Sequence, residues 1–281
     1  MMSANVLEEI RKTVAERLDK GDAKGTTIDG VVALCKSSDG IAPHVFQKGD
    51  DLSGLNVDPK YPVMTLVSKL HKRFPAIRLG VVARGCDERA FIEMGKRNQI
   101  DPNRLVILGF ACTAEEAQAC YCASPAPTSA HLLVGTPPAP GPANPVVEKY
   151  DAMPQAERRA FWKGQFLKCI KCYGCRNICP QCFCNICALE DETWVQTGRL
   201  PMQNPSMYHL VRAMHMTAKC VACRECEETC PAGIPMAVHF RLIARDVKEM
   251  FNYETGAVME QKPPQLLVLE EGEFERTGLP H

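Results

Sequence analysis

The sequence predicts an α/β N-terminal domain with a small parallel sheet, followed by an α-rich C-terminal domain crowded with cysteine. Three observations predict it. Two strand-length apolar runs, residues 77–83 and 105–111, are joined by a helix-length segment, the pattern of a parallel strand pair with its crossover. A proline-rich stretch then interrupts the pattern, with prolines at 125, 127, 137, 138, 140, 142 and 145. Beyond it, eleven of the 16 cysteines fall within residues 169–230. A chain of 281 residues has room for one large domain or two modest ones. The shifts in composition divide it into 1–123 (α/β), 124–153 (Pro-rich linker), 154–255 (cysteine domain) and 256–281 (tail).

Each element follows from local pattern. Val6, Leu7, Ile10, Val14 and Leu18 form one helical stripe over residues 5–19. Apolar runs 28–35 and 41–46, separated by KSSDG, read as a hairpin with a Gly-containing turn. Residues 63–74 are helical and close at Pro75; 77–83 is a buried strand, 86–98 a helix and 105–111 a second buried strand. The prolines of 124–145 predict a stiff, partly extended connector. Pro154 opens a helix over 155–168 and Asn204-Pro205 opens another to about 218. Pro235 starts a third, with Ala237, Phe240, Ile243, Val247 and Met250 along it. In the tail, a short LLVL run is read as an added strand.

Charge and hydropathy exclude whole classes of function. Lysine plus arginine equals aspartate plus glutamate, 33 against 33, whereas a nucleic-acid binder shows a basic excess or stripe. The longest apolar run, 105–112, is strand-length and far short of the ~18 residues of a membrane span. The N-terminus is an amphipathic helix with acidic residues, not a secretory signal. A cytoplasmic location is expected, where thiols stay reduced, so clustered cysteines read as metal ligands rather than disulfides.

The chemistry lies in an internal repeat. Cys169-x2-Cys172-x2-Cys175-x3-Cys179-Pro180 recurs as Cys220-x2-Cys223-x2-Cys226-x3-Cys230-Pro231. Three thiolates in a tight C-x2-C-x2-C loop grip three corners of a 4Fe-4S cube, and in two-cluster ferredoxins the last cysteine of each run serves the other cube. Cys169, Cys172, Cys175 and Cys230 are therefore assigned to one 4Fe-4S cluster, and Cys220, Cys223, Cys226 and Cys179 to a second. The domain is expected to be a ferredoxin-like dicluster module. Structural zinc prefers two separated C-x2-C pairs, which this doubled spacing is not. Lys163, Lys168, Lys171 and Arg176 flank the first run, and Lys219 and Arg224 the second. Such cations favour the reduced cluster and raise its potential, while Glu225, Glu227 and Glu228 oppose them.

Seven further thiols are candidate ligands of an additional cluster: Cys182, Cys184 and Cys187 after the first run, and Cys86, Cys112, Cys120 and Cys122 in the N-terminal domain. Cys112 ends one parallel strand and Cys86 opens the helix after the other, at the strand ends where open α/β sheets place ligands. A helix N-terminus is expected to lower the Cys86 thiol pKa. Cys35, inside a strand, reads as a buried spectator. Gly85, Cys86 and Asp87 are either a capped helix start or a candidate flavin site. His44, His71, His131, His209, His215 and His239 are scattered, and no G-x-S-x-G, H-E-x-x-H or Walker-type loop occurs.

Four stretches carry a family likeness: GVVARGCDERAFIEMGKRNQI (80–100), LVILGFACT (105–113), KCIKCYGCRNICPQCFCNIC (168–187) and KCVACRECEETCPAGIP (219–235). Through them the chain resembles the coenzyme F-420 hydrogenase/dehydrogenase beta-subunit family, in the branch associated with formate dehydrogenase, hydrogenase and heterodisulfide-reductase-like complexes of anaerobes. The resemblance implies electron transfer between a redox enzyme and a flavin- or deazaflavin-linked partner, and FAD in the members that reduce the deazaflavin. The sequence departs from the family in placing its ferredoxin part last, in having Cys120-Tyr-Cys122 where members often have C-x2-C, and in lacking a Gly-x-Gly-x-x-Gly loop. The expected function is an electron-transfer subunit of a multi-subunit anaerobic oxidoreductase, with no catalytic residues of its own. The alternatives are a flavoprotein (FAD or deazaflavin) that splits hydride chemistry into single electrons, and a scaffold whose clusters only hold the fold.

Overall fold

A computed structural model describes residues 3–22, 24–190 and 205–267. Helix α1 (Ala4–Lys20) starts at Ser3, whose hydroxyl accepts the Val6 N–H at 3.4 Å. The buried members of its stripe are Ile10, Val14 and Leu18. Strands β1 (Gly30–Ser37) and β2 (Gly40–Phe46) form the expected antiparallel hairpin, in register from Val31–Phe46 to Ser37–Gly40. Strand β3 (Leu55–Asn56) pairs antiparallel with the far end of β1. Helix α2 (Met64–Arg73), strand β4 (Leu79–Ala83), helix α3 (Gly85–Lys96), strand β5 (Leu105–Phe110) and helix α4 (Ala114–Ala119) follow.

The sheet runs β2-β1-β4-β5-β6, with β6 at Leu132–Val134. β1, β4, β5 and β6 are mutually parallel. The expected small parallel sheet is thus a larger mixed one, because the hairpin adds to its edge rather than standing apart. β4 and β5 are buried along their whole length because both faces are covered, as parallel sheets require. Val82, Val106 and Leu108 pack with α1 residues Ile10 and Val14. The alternate side chains Val81 and Ile107 pack with Val67 of α2 and Ala90 and Met94 of α3.

The proline-rich stretch does not act as a spacer. It contributes β6 and then helix α5 (Pro145–Asp151), and the Cys112 N–H donates to the Pro125 carbonyl at 2.8 Å. Proline there forfeits donors only where none is needed, at a sheet margin.

From α6 (Gln155–Phe166) onward the described residues contain helices and loops: α7 (Gly174–Asn177), α8 (Pro205–Met216), α9 (Glu225–Glu228) and α10 (Met236–Phe251). Helix α10 buries Ala237, Phe240 and Val247 of its expected stripe and leaves Met250 exposed. The Asn204 cap and the second half of the LLVL run fall on positions outside the described residues, and the first half does not begin as a strand, since Pro264–Leu266 forms a 3-10 turn. Among the described residues no helix is long and apolar enough to cross a membrane.

Helix α3 fastens the two halves together. Glu93, fully buried, accepts from Tyr253 Oη and the Gly256 N–H at 2.6 Å each, from Lys96 at 3.1 Å, and from Arg97. Arg97 also donates to the Ala218 carbonyl at 2.7 Å and Arg89 to that of Val221 at 3.1 Å, while Gln181 donates to that of Ala90 at 3.2 Å. One helix therefore follows strand β4 and supports the cysteine loops.

Candidate metal centres

The two cysteine runs fold as copies of one loop. Lys171 and Tyr173 take positive φ (55° and 58°), as do Ala222 and Arg224 at the matching places of the second run (56° and 64°). None of these is glycine, so the left-handed turns are adopted against side-chain preference. Alternating hands leave successive N–H groups pointing into the loop, the geometry of an anion-binding nest. The Lys171 N–H reaches Cys169 Sγ at 3.3 Å, and the Ala222 amide bonds Cys220 in the same way. A short helical turn follows each loop, with Arg176 bonded to the Tyr173 carbonyl at 3.0 Å and Glu227 to that of Arg224 at 2.8 Å. The prolines come next, where the chain turns back.

Each copy contributes its fourth cysteine to the other's loop. Cys169, Cys172 and Cys175 line one cavity together with Cys230. Cys220, Cys223 and Cys226 line another with Cys179. The two cavities have equal empty volumes of about 380 Å³. Burial pushes the Cys169, Cys175, Cys220, Cys223 and Cys226 thiols above their usual pKa, so a metal binding there must displace their protons. Among the described residues, no three His, Cys, Asp or Glu side chains converge as on one metal ion. A cube binds one thiolate per iron corner, so its ligands belong around a cavity rather than at a single point. The donor set, the amides aimed at sulfur and the cavities all suit such a group.

Arg212 of α8 stands between the quartets, only 2% exposed. It lines the second cavity, donates to the Cys175 carbonyl of the first loop at 2.8 Å and to Cys182 Sγ at 2.9 Å. The adjacent Cys179 thiol, then Arg212, holds Cys182 well below the usual thiol range, and the same contact drives Cys179 up. Cys182, Cys184 and Cys187 line a separate, more open cavity. The flanking cations are mostly engaged: Arg176 pairs with Glu190 at 2.5 Å, and Arg224 with Glu227 and Glu228 at 2.7 and 3.2 Å. Lys168 donates to Gln165 at 2.8 Å. Sequence reasoning missed Arg212, because nothing distinguishes a buried arginine in a helix from a solvated one.

The four N-terminal thiols gather where β4 and β5 end. Cys112 lies within electrostatic range of Cys120 and Cys122, and Cys86 within range of Cys223 in the second quartet. Lys60 stands among them, 3.2 Å from Cys120 Sγ and 3.1 Å from Glu225. Buried Arg84 pairs with Glu116 at 2.8 Å and Asp58 at 3.2 Å. Cys122 and Cys220 share the wall of a further cavity. The expected low pKa at Cys86 is overturned: desolvation pushes that thiol up, a penalty larger than the help of a helix N-terminus. Burial likewise lifts Cys112 to about 11 and Asp87 to about 6.

The Gly85–Asp87 turn has the geometry of a capped helix. The Asp87 carboxylate accepts the Arg84 N–H at 3.0 Å. A Cβ on Gly85 would come within 2.6 Å of the Ser124 carbonyl oxygen and 2.8 Å of that of Ala126. Backbone fills the space above this glycine, where a flavin would need room. Cys35 is only partly buried, packed beside the sheet core. His209 and His239 belong to an aromatic core; His209 stacks on Phe166 at 4.4 Å and His239 lies edge-on to Trp162 at 4.8 Å.

Sheet, strand-end thiols and thiol-lined cavities together define a multi-thiol α/β protein. No family model matches the chain. It is 38% identical over 103 residues to the F420-dependent formate dehydrogenase subunit beta of Methanocaldococcus jannaschii, covering 37% of this chain and 27% of that protein. It is 42% identical over 105 residues to the F420-dependent formate dehydrogenase 1 subunit beta of Methanococcus maripaludis, covering 37% of this chain and 26% of that protein. The matches thus span about a quarter of the length of these curated relatives. Over the matched residues, the chain is similar to the beta subunits of F420-dependent formate dehydrogenases.

Proposed function

We propose that this protein is an iron–sulfur electron-transfer subunit of a multi-subunit oxidoreductase, a formate dehydrogenase, hydrogenase or heterodisulfide-reductase-like assembly. The observation that carries the reading is the exchange of fourth cysteines, which lines two equal cavities with four thiols each. A 4Fe-4S cube takes up and releases one electron at a time without making or breaking bonds. Cys169, Cys172, Cys175 and Cys230 would hold one, and Cys220, Cys223, Cys226 and Cys179 the other. The chain's own work is to desolvate these thiols, supply N–H donors to sulfur and place a buried guanidinium between them. The strand-end group of Cys86, Cys112, Cys120 and Cys122 is a candidate third centre, beside the second quartet and charge-balanced by Lys60. The relatives' names favour a formate dehydrogenase setting.

The wire is favoured over the flavoprotein by the backbone packed against Gly85. The deciding experiment is purification without oxygen, followed by iron, acid-labile sulfide, zinc and flavin analysis and paramagnetic resonance of dithionite-reduced protein. At least about eight irons and eight sulfides per chain, reversibly reducible, are expected. Colourless protein, or stoichiometric zinc without sulfide, overturns the proposal. Stoichiometric flavin moves it to the flavoprotein.

A further inference from the structure

The cysteine module holds three thiols that neither quartet uses. Cys182, Cys184 and Cys187 line one open cavity of about 360 Å³ between α2 and α8. Lys69, Arg176, Arg212 and Lys219 stand on its wall, against a single carboxylate among the described residues, Glu190. Arg212 is the telling one. Its Nη1 meets Cys182 Sγ at 2.9 Å and its Nη2 a backbone carbonyl, while its buried Nε has no partner among the described residues. A guanidinium so desolvated needs negative charge close by, and a thiol sulfur is what it touches. Arg176 makes the same kind of bond to Cys187. Three thiols at C-x-C-x2-C spacing, under converging cations and open on one side, form a site for an anionic metal–sulfur group.

We propose that Cys182, Cys184 and Cys187 hold a further iron–sulfur cluster through three thiolates, with one corner lacking a cysteine. The proposal rests on the iron–sulfur reading above. Binding replaces whatever protons the three sulfurs still carry with thiolate–iron bonds. Cys179 of the second quartet lies against Cys182, so electrons can pass between this cluster and that quartet. A cube lacking one thiolate is also the one most easily degraded. One equivalent of ferricyanide takes one electron, a single ferrous ion leaves, and a three-iron cluster remains.

The test uses the full chain, purified without oxygen, beside a Cys182→Ser/Cys184→Ser/Cys187→Ser variant. The variant should hold about four fewer irons and four fewer sulfides per chain, and should lose the three-iron resonance that ferricyanide produces in the parent protein. Cys184→Ser alone, at an exposed thiol, keeps the fold and should alter that resonance while leaving the remaining cluster signals in place. Unchanged iron in the triple variant, or a resonance unmoved by Cys184→Ser, overturns the proposal. So does stoichiometric zinc that the triple variant loses. Failure of the underlying reading is distinct, because the parent protein would then contain no sulfide.

Discussion

The two cysteine quartets share one backbone loop and differ in what that loop is packed against. In the first, Cys172 is exposed and Leu167 and Ile170 beside it stand in solvent. Its cavity is also lined by Tyr173, Tyr208 and His209. In the second, Cys226 is buried, and the loop is held to the α/β half through Arg89, Arg97 and Lys60. The repeat therefore sets the ligand loop, and its neighbours set its role. One quartet presents itself outward, to a docked redox subunit in our reading. The other faces inward, to the strand-end thiols.

The sharpest way to break this comparison is to remove one thiol from each quartet. Cys172→Ser and Cys223→Ser should each cost about four irons per chain. Metal binding supplies folding energy where the apo site is not preformed, so their effects on stability should differ. Cys223→Ser, in the loop that joins the halves, should lower Tm by many degrees, and Cys172→Ser by only a few. Calorimetry under argon measures both, and equal drops would erase the inner–outer distinction.

Next in size is the fastening itself. Glu93→Gln keeps the shape but strands Lys96 and Arg97 as buried cations, which costs about 3–5 kcal/mol. Urea unfolding should record that loss, and iron should leave the second quartet before the first. Simultaneous loss from both would mean that α3 supports the module as a whole.

The aromatic core near the first quartet gives a pH test. Burial holds His209 down to about 3 and His239 to about 4, both from an ordinary 6.5. The unfolded chain therefore binds more protons than the folded one below about pH 6.5, so stability falls as pH falls through that point toward 4. By pH 5 each ring contributes about 2 kcal/mol of destabilisation. His239→Phe should flatten this slope in acid unfolding curves; an unchanged slope would place the titration elsewhere.

Much of this was legible in the sequence, and the reasons differ by element. Periodicity exposed β4 and β5 because strands covered on both faces are continuously apolar, and proline marked the starts of α6 and α10. The cysteine spacing marked the repeat whose eight thiols line two cavities, four to each. The role of Leu132–Val134 as β6 was hidden between the prolines at 127 and 137, since three residues at a sheet margin carry too little pattern. The rise in the Cys86 pKa was misjudged because a helix start is visible in sequence and desolvation by the surrounding fold is not. Arg212, Lys60 and Glu93 left no sequence signal, since each is placed by tertiary packing alone.

The smallest expected effect is the most informative about the pair. Arg212 lines the second cavity and hydrogen-bonds the first loop at the Cys175 carbonyl. A cation stabilises the more negative, reduced form of a cluster, so its loss must move the potential downward. At ~10 Å and an effective dielectric of ~20, one charge is worth about 1.7 kcal/mol, or roughly 70 mV for one electron. Arg212→Met should therefore shift the second quartet's potential negative by some tens of millivolts and the first quartet's by less. Arg212→Lys keeps the charge without the fork and should restore most of the shift. Redox titration followed by paramagnetic resonance separates the two centres. Equal shifts would make Arg212 a common counter-charge, and a shift that Lys does not restore would assign it a packing role instead of an electrostatic one.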